Sequence, residues 1–253
     1  MTDFRTRRER LVDRLESRGR VERRATLDAL RAVPRHAFVP EGQSRAAYED
    51  RPLPIGEGQT ISAPHMVGIM TDLLAPRPGD RILEIGTGCG YHAAVTSEIV
   101  AGGRADGGRF DGDRRGDDDG ADDGGGDDDG AGDDDTGNDT AGGIYSVEYH
   151  ERLAERARER LAELGYGVAV RTGDGHDGWP THAPYDAAYL TCAASEIPAS
   201  VIEQVHTGGR IVAPVEAGRL GGQTLVRATK RADGGLDREE HGGVRFVSMQ
   251  GSE

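Results

Sequence analysis

Long apolar runs, cysteine, lysine and aromatic side chains are all scarce in this 253-residue sequence. No stretch approaches the ~20 apolar residues that a membrane helix needs, so no spanning segment is expected. The first ten residues lack the apolar core of a secretory signal, which points to the cytoplasm. Two cysteines, Cys89 and Cys192, cannot build a disulfide framework or a cysteine-rich metal site. The eight histidines fall at no metal-ligand spacing, so no metal is expected. With a net charge of −14 and no basic stripe, nucleic acid is a poor partner. A single lysine, Lys230, stands against 30 arginines. That bias, joined to the aspartate excess, resembles halophilic proteomes, although a GC-rich genome also favours arginine.

The 5% aromatic and 35% apolar content looks lean for a globular chain until the sequence is divided. Residues 101–142 hold fifteen Asp and four Arg, a net of −11, and Phe110 is their only aromatic. The remainder of the chain therefore carries only −3 and has enough apolar residues for one α/β domain spanning 1–253. A segment of this composition cannot form a core, so 102–140 is expected to be a disordered Asp/Gly-rich insert.

Helical spacing of Leu11, Val12 and Leu15, and of Leu27, Leu30 and Val33, predicts two amphipathic helices at the start. Residues 48–63 are too rich in Pro and Gly for a helix and read as an ordered loop with short extended pieces. Together, 1–63 are expected to form a helical cap with a substrate loop, and 64–253 the core. Pro64 suits the first position of a third helix. From Arg81, short apolar strands (81–85, 144–147, 168–171, 186–190 and 210–214) alternate with helices, which predicts a doubly wound, mostly parallel sheet. An antiparallel pair, 224–229 with 244–249, is expected to close it. The insert then lies between a helix and the next strand, at the sheet edge opposite the ligand crevice.

The densest chemical signal is Ile82-Leu-Glu-Ile-Gly-Thr-Gly-Cys-Gly-Tyr91. A strand ends in a carboxylate, Glu84, and runs into Gly86 and Gly88, which let a ligand approach the backbone at a helix start. The dinucleotide pattern would put its third glycine where Tyr91 stands, which argues against a pyrophosphate cradle. Glu148 ends the next strand, 58 residues after Gly90; without the 39 residues of 102–140 the gap is 19. That is the spacing of a ribose-binding acid. Asp174, between Gly173 and Gly175, follows the third strand, where it could take an adenine amino group or simply form an Asx turn.

These elements resemble the class I S-adenosylmethionine-dependent methyltransferases, and more narrowly the protein-L-isoaspartate O-methyltransferase family. The narrower likeness rests on Val33-Pro-Arg-His-Ala-Phe-Val-Pro-Glu, Gly58-Gln-Thr-Ile-Ser-Ala-Pro-His-Met and Gly173-Asp-Gly-His-Asp-Gly-Trp-Pro. It implies a Rossmann-like fold and methylation of the α-carboxylate of L-isoaspartyl residues in damaged proteins and peptides, starting repair through a succinimide. It also implies Ser62 as the active-site residue. The loop Gln59, Thr60, Ile61 and Ser62 would border cofactor and substrate, and Glu84, Gly86, Gly88, Glu148, Asp174, Gly175 and Gln223 would contact S-adenosylmethionine. His65 could join them or only pack at a helix start. Ser62 could equally cap the helix entered at Pro64. His176 and Trp179 read as structural, the two cysteines as small packing residues, and the protein as a monomer. Two other readings stay open: a class I methyltransferase with another acceptor, and a non-catalytic S-adenosylmethionine-binding adaptor.

Overall fold

The computed structural model describes residues 3–102, 142–217 and 221–252. The acidic insert expected over 102–140 thus lies, beyond Gly102, outside the described residues.

The chain opens with two helices, α1 (Phe4–Ser17) and α2 (Arg24–Ala32). Asp3 caps the first by accepting the Thr6 N–H at 3.0 Å. Their apolar stripes, Leu11, Val12 and Leu15 on one and Leu27 and Leu30 on the other, are buried as their spacing predicts. Two 3₁₀ turns lead to a small hairpin, β1 (Leu53–Gly56) and β2 (Gln59–Ile61). Helix α3 (Pro64–Leu74) follows, with proline in its first turn and Ala75 in the left-handed region at its end.

Strands β3 (Arg81–Ile85), β4 (Gly143–Glu148), β5 (Val168–Thr172), β6 (Tyr185–Leu190) and β7 (Val205–Glu216) alternate with α4 (Tyr91–Val100), α5 (Glu151–Glu163) and α6 (Ala199–Gln204). All ten residues of α4 are buried, because the sheet covers one side and α2 packs on another. Helix α5 is amphipathic and buries Leu153, Ala154, Ala157 and Leu161. Two antiparallel strands, β8 (Gln223–Lys230) and β9 (Leu236–Val244), complete a seven-stranded sheet of order β5-β4-β3-β6-β7-β8-β9. The doubly wound, mostly parallel architecture matches expectation. The chain reverses direction across the sheet between β3 and β6, and crevices form outside the carboxyl ends of strands at such a point.

The closing pair requires a correction. Residues 244–249 are not the last strand; that strand is Leu236–Val244, whose Asp237, Arg238, Glu239 and Glu240 show no apolar alternation. It is an exposed sheet edge, and charge there blocks further strand addition. The apolar Val247 and Met249 serve another purpose. They cross the carboxyl end of β6, where the Ala193 N–H donates to the Val247 carbonyl at 2.8 Å and the Met249 N–H to the Ala193 carbonyl at 2.7 Å.

The two stubs of the insert lie at the opposite end of the sheet. The Gly79 N–H bonds the Val100 carbonyl at 2.9 Å and the Gly143 N–H bonds that of Asp80 at 3.0 Å. Gly142 presses so closely on this turn that a Cβ there would fall 2.2 Å from the Gly79 carbonyl carbon. The chain therefore leaves and re-enters the fold at the amino ends of β3 and β4.

Candidate cofactor site

At the switch point a cavity of about 520 Å³, partly open to solvent, lies over the ends of β3, β4 and β6. Concave sites at the switch points of such sheets are where small-molecule ligands bind. The glycine loop forms its floor. Gly86 has φ +94°, and a Cβ there would lie 2.4 Å from the Thr191 hydroxyl oxygen, so both backbone sign and space demand glycine. Gly88 donates its N–H to one Glu148 oxygen at 2.8 Å, and the His150 N–H donates to the other at 2.9 Å. The buried Glu148 carboxylate is thereby fixed at the cavity wall, and a carboxylate so held keeps two lone-pair sites for a diol.

Of the expected contacts, Gln59, Thr60, Gly86, Gly88, Glu148 and Gly175 line this cavity. The others are placed elsewhere, each for a visible reason. Glu84 is wholly buried beneath the loop, where Tyr189 donates to it at 2.8 Å and Ser146 makes a second, very short contact. Burial, partly offset by these hydroxyls, pushes its pKa up to about 8. Gln223 spends its amide on Phe246, donating to the carbonyl at 3.1 Å and accepting the N–H at 2.6 Å, so it braces the tail rather than facing the cavity. Asp174 accepts the His176 N–H at 2.9 Å and the Ser252 N–H at 2.8 Å, one step behind the cavity-lining Gly175. His65 pairs with Asp50 at 2.8 Å, at the start of α3. Ile61, the last residue of β2, is buried.

Ser62 follows the hairpin, half-buried. The α3 cap is Ala63, with no side-chain cap bond, so Ser62 does not act as the cap. Its carbonyl accepts from Arg35 at 2.8 Å. Arg35 is a fully buried guanidinium that also donates to the Ala47 carbonyl at 2.9 Å and lies 5.0 Å over the Tyr91 ring. It ties the cap to the hairpin's exit.

Sequence reasoning missed several cavity residues. Tyr149 and His150 come directly after Glu148, and adjacency to that strand-end acid is a usable signal. His150 meets Gln59 at 3.3 Å across the cavity rim. Thr191 and Cys192 end the strand beside β3, a position the switch-point rule marks. Val247 to Gln250 carried no such signal. Burial pushes the Cys89 and Cys192 thiols up to about 11 and about 12, which disfavours the thiolate form. Among the described residues no group of three or more His, Cys, Asp or Glu could hold a metal ion, and no helix is long and apolar enough to cross a membrane.

Comparison with known proteins agrees with this geometry. The family model described as protein-L-isoaspartate(D-aspartate) O-methyltransferase matches residues 6–105 and 138–253. Protein-L-isoaspartate O-methyltransferase 2 of Archaeoglobus fulgidus is 43% identical over 250 residues, covering 98% of this chain and 95% of that protein. The Methanopyrus kandleri protein-L-isoaspartate O-methyltransferase is 42% identical over 252 residues, covering 99% and 94%. A solved protein-L-isoaspartate O-methyltransferase superposes with TM-score 0.73 at 26% identity, covering 96% of this chain and 66% of that longer one. The fold is shared with a candidate enzyme of that name from Plasmodium falciparum, solved with S-adenosyl-L-homocysteine, at TM-score 0.71 and 19% identity. The chain belongs to the protein-L-isoaspartate(D-aspartate) O-methyltransferase family.

Proposed function

We propose that this protein transfers a methyl group from S-adenosylmethionine to the α-carboxylate of L-isoaspartyl residues in damaged proteins and peptides. The observation that carries this reading is the Glu148 carboxylate, fixed by the Gly88 N–H at the wall of the cavity that the Gly86–Gly88 loop lines, in a chain of this family. Gly86, Gly88, Glu148 and Gly175 hold the nucleoside and amino-acid parts of the cofactor, and Tyr149, half exposed at the rim, offers an aromatic face. Ser62 orients the acceptor carboxylate.

When bound, the cofactor supplies an electrophilic methyl on a positively charged sulfur. The remaining work falls to the protein. A free carboxyl titrates near ~4, so the acceptor is already ionised at neutral pH and needs no general base. The chain must align that carboxylate with the methyl and strip water from it. Gln59 and Thr60 of β2 and the tail from Val247 to Gln250 form part of the cavity wall. The Ser62 hydroxyl can donate to the acceptor without removing a proton. The protein acts in the cytoplasm, as a monomer, on isoaspartyl proteins and peptides.

The deciding experiment is radiolabelled methyl transfer to a synthetic isoaspartyl peptide beside its normal aspartyl twin. A base-labile methyl ester should form on the first alone. Equal labelling of both, or label on RNA only, would show another acceptor.

A further inference from the structure

Past the Gln223 brace at Phe246, the tail runs along the carboxyl edge of the sheet and is fixed at two further points. At the end of β6, the Ala193 N–H donates to the Val247 carbonyl at 2.8 Å and the Met249 N–H to the Ala193 carbonyl at 2.7 Å. Beyond β5, the Ser252 N–H donates to Asp174 Oδ2 at 2.8 Å. Strands β3 and β4 stand between β6 and β5 in the sheet, and Val247, Ser248, Met249 and Gln250 line the cavity over their ends. The span between the two anchors is therefore a strap that forms one wall of the site.

The second anchor is closely fitted. Gly251 has φ +123°, and a Cβ there would fall 2.3 Å from both Asp174 carboxylate oxygens, so its backbone lies directly on the carboxylate. A Cβ at Gly175 would likewise come within 2.9 Å of the Met249 methyl carbon. Two consecutive residues of the turn after β5 thus meet the tail. Asp174 Oδ1 accepts the His176 N–H at 2.9 Å and lies 2.8 Å from the ring Nδ1, which leaves Oδ2 to Ser252. Burial works to raise the carboxyl's pKa, but the N–H groups of His176 and Ser252 outweigh it and hold it below the ordinary range. The acceptor is charged at neutral pH, which strengthens each bond to it. Gly251 and Ser252 are both exposed, so apolar burial does not explain the fit.

We propose that Gly251 and Ser252 are positioning residues for the cofactor: clamped on Asp174, they hold the Met249–Gln250 wall against the bound molecule and set the rate at which it leaves. This rests on the assignment of the cavity to S-adenosylmethionine. The two anchors differ in strength. The first is a pair of backbone bonds to Ala193, which is buried, whereas the second is one N–H on a carboxylate at the surface. Segments open where few buried contacts hold them, so the strap opens at Asp174 first. Opening there draws Met249 and Gln250 away from the wall while the Ala193 anchor stays closed. Loss of the clamp should therefore be felt in ligand release and not in the chemistry at the acceptor.

The experiment is surface plasmon resonance of S-adenosylhomocysteine on the immobilised full chain, with steady-state kinetics beside it. Ser252→Pro removes the donor N–H, and Gly251→Ala drives a Cβ into the carboxylate. Each should speed release by about tenfold, the scale of one hydrogen bond to a charged acceptor. KM for S-adenosylmethionine should rise with it, while kcat does not fall. Ser252→Ala keeps the N–H and should release the ligand at the wild-type rate. Asp174→Asn leaves Oδ1 to His176 and turns an amide donor toward Ser252, so the clamp is already lost. In that background Ser252→Pro should add less than about twofold, whereas a tail that acted elsewhere would show its full effect in both backgrounds. Wild-type release from Gly251→Ala and Ser252→Pro overturns the proposal alone, as does a tenfold effect that persists beside Asp174→Asn or appears equally in Ser252→Ala. Failure of the full chain to bind the ligand overturns the cavity assignment and the proposal with it.

Discussion

The two ends of the parallel sheet are built by opposite rules. At the carboxyl ends of β3, β4 and β5, the backbone holds the carboxylates beside the cavity. Both Glu148 oxygens accept backbone N–H groups, both Asp174 oxygens do the same, and Gly86 has no space for a Cβ. At the amino ends, the turn at Gly79 and Asp80 closes with its own bonds to Val100 and Gly143. Nothing among the described contacts there requires the sequence between Gly102 and Gly142. The difference teaches where an α/β fold stores tolerance. The strands fix positions at their carboxyl ends, where loops carry chemistry, and leave the other edge open to insertion.

The largest effect that would sharpen this contrast is expected at Arg35, on the committed side. Arg35→Met keeps most of the apolar volume but leaves the buried Ala47 carbonyl and the part-buried Ser62 carbonyl without their donor. Each such loss costs ~1–3 kcal/mol, so stability should fall by about 3–5 kcal/mol, measured by urea unfolding. A loss under about 1 kcal/mol would mean that water replaces the guanidinium and that this end is less committed than it looks. Glu148→Ala comes next. It removes a fixed carboxylate from the cavity wall and frees the Gly88 N–H. Cofactor affinity should fall about 100-fold by calorimetry, the scale of two charge-assisted hydrogen bonds at ~1.5 kcal/mol each. Retained affinity would take the ribose away from Glu148.

Ser62→Ala should act differently, because its side chain lies outside the cavity lining and caps no helix. If it orients the acceptor, kcat should drop by about tenfold, roughly one hydrogen bond realised in the transition state, with cofactor affinity nearly unchanged. Matching kinetics for Ser62→Ala and Glu148→Ala would show that the two sides of the cavity do not divide the work.

The sequence made one side of this comparison legible and left the other largely silent. Parallel strands buried on both faces read as short apolar runs, and Gly86, Gly88 and Glu148 are set by local spacing once the insert is excised. Three features escaped for physical reasons. Strand β9 is an edge whose partner and solvent accept charge alike, so no alternation marked it. Val247 and Met249 are apolar because they cover β6 at the cavity, and that pattern mimicked a strand. Glu84 sits at a motif position that suggests contact, whereas its burial depends on Ser146 and Tyr189, 62 and 105 residues away. Long-range packing of that kind has no local signature.

The smallest expected effect tests the tolerant end. Replacing 104–140 by a short Gly/Ser turn removes all fifteen Asp and four Arg of the acidic segment, and with them −11 of the chain's −14 charge. The flanking residues already close the turn at Gly79 and Asp80, so methylation at a given salt concentration should change by less than about twofold, since no contact of the cavity is touched. What should change is the response to salt. Self-repulsion on this scale is screened as the Debye length falls to ~3 Å at 1 M, so the full chain should gain more thermal stability from molar salt than the shortened one. Equal gains would mean that the segment's charge is already neutralised against the folded surface. Loss of cofactor binding on shortening, in salt where the full chain binds, would go further: it would show that the amino end of the sheet communicates with the cavity, and the division between the two ends would fail.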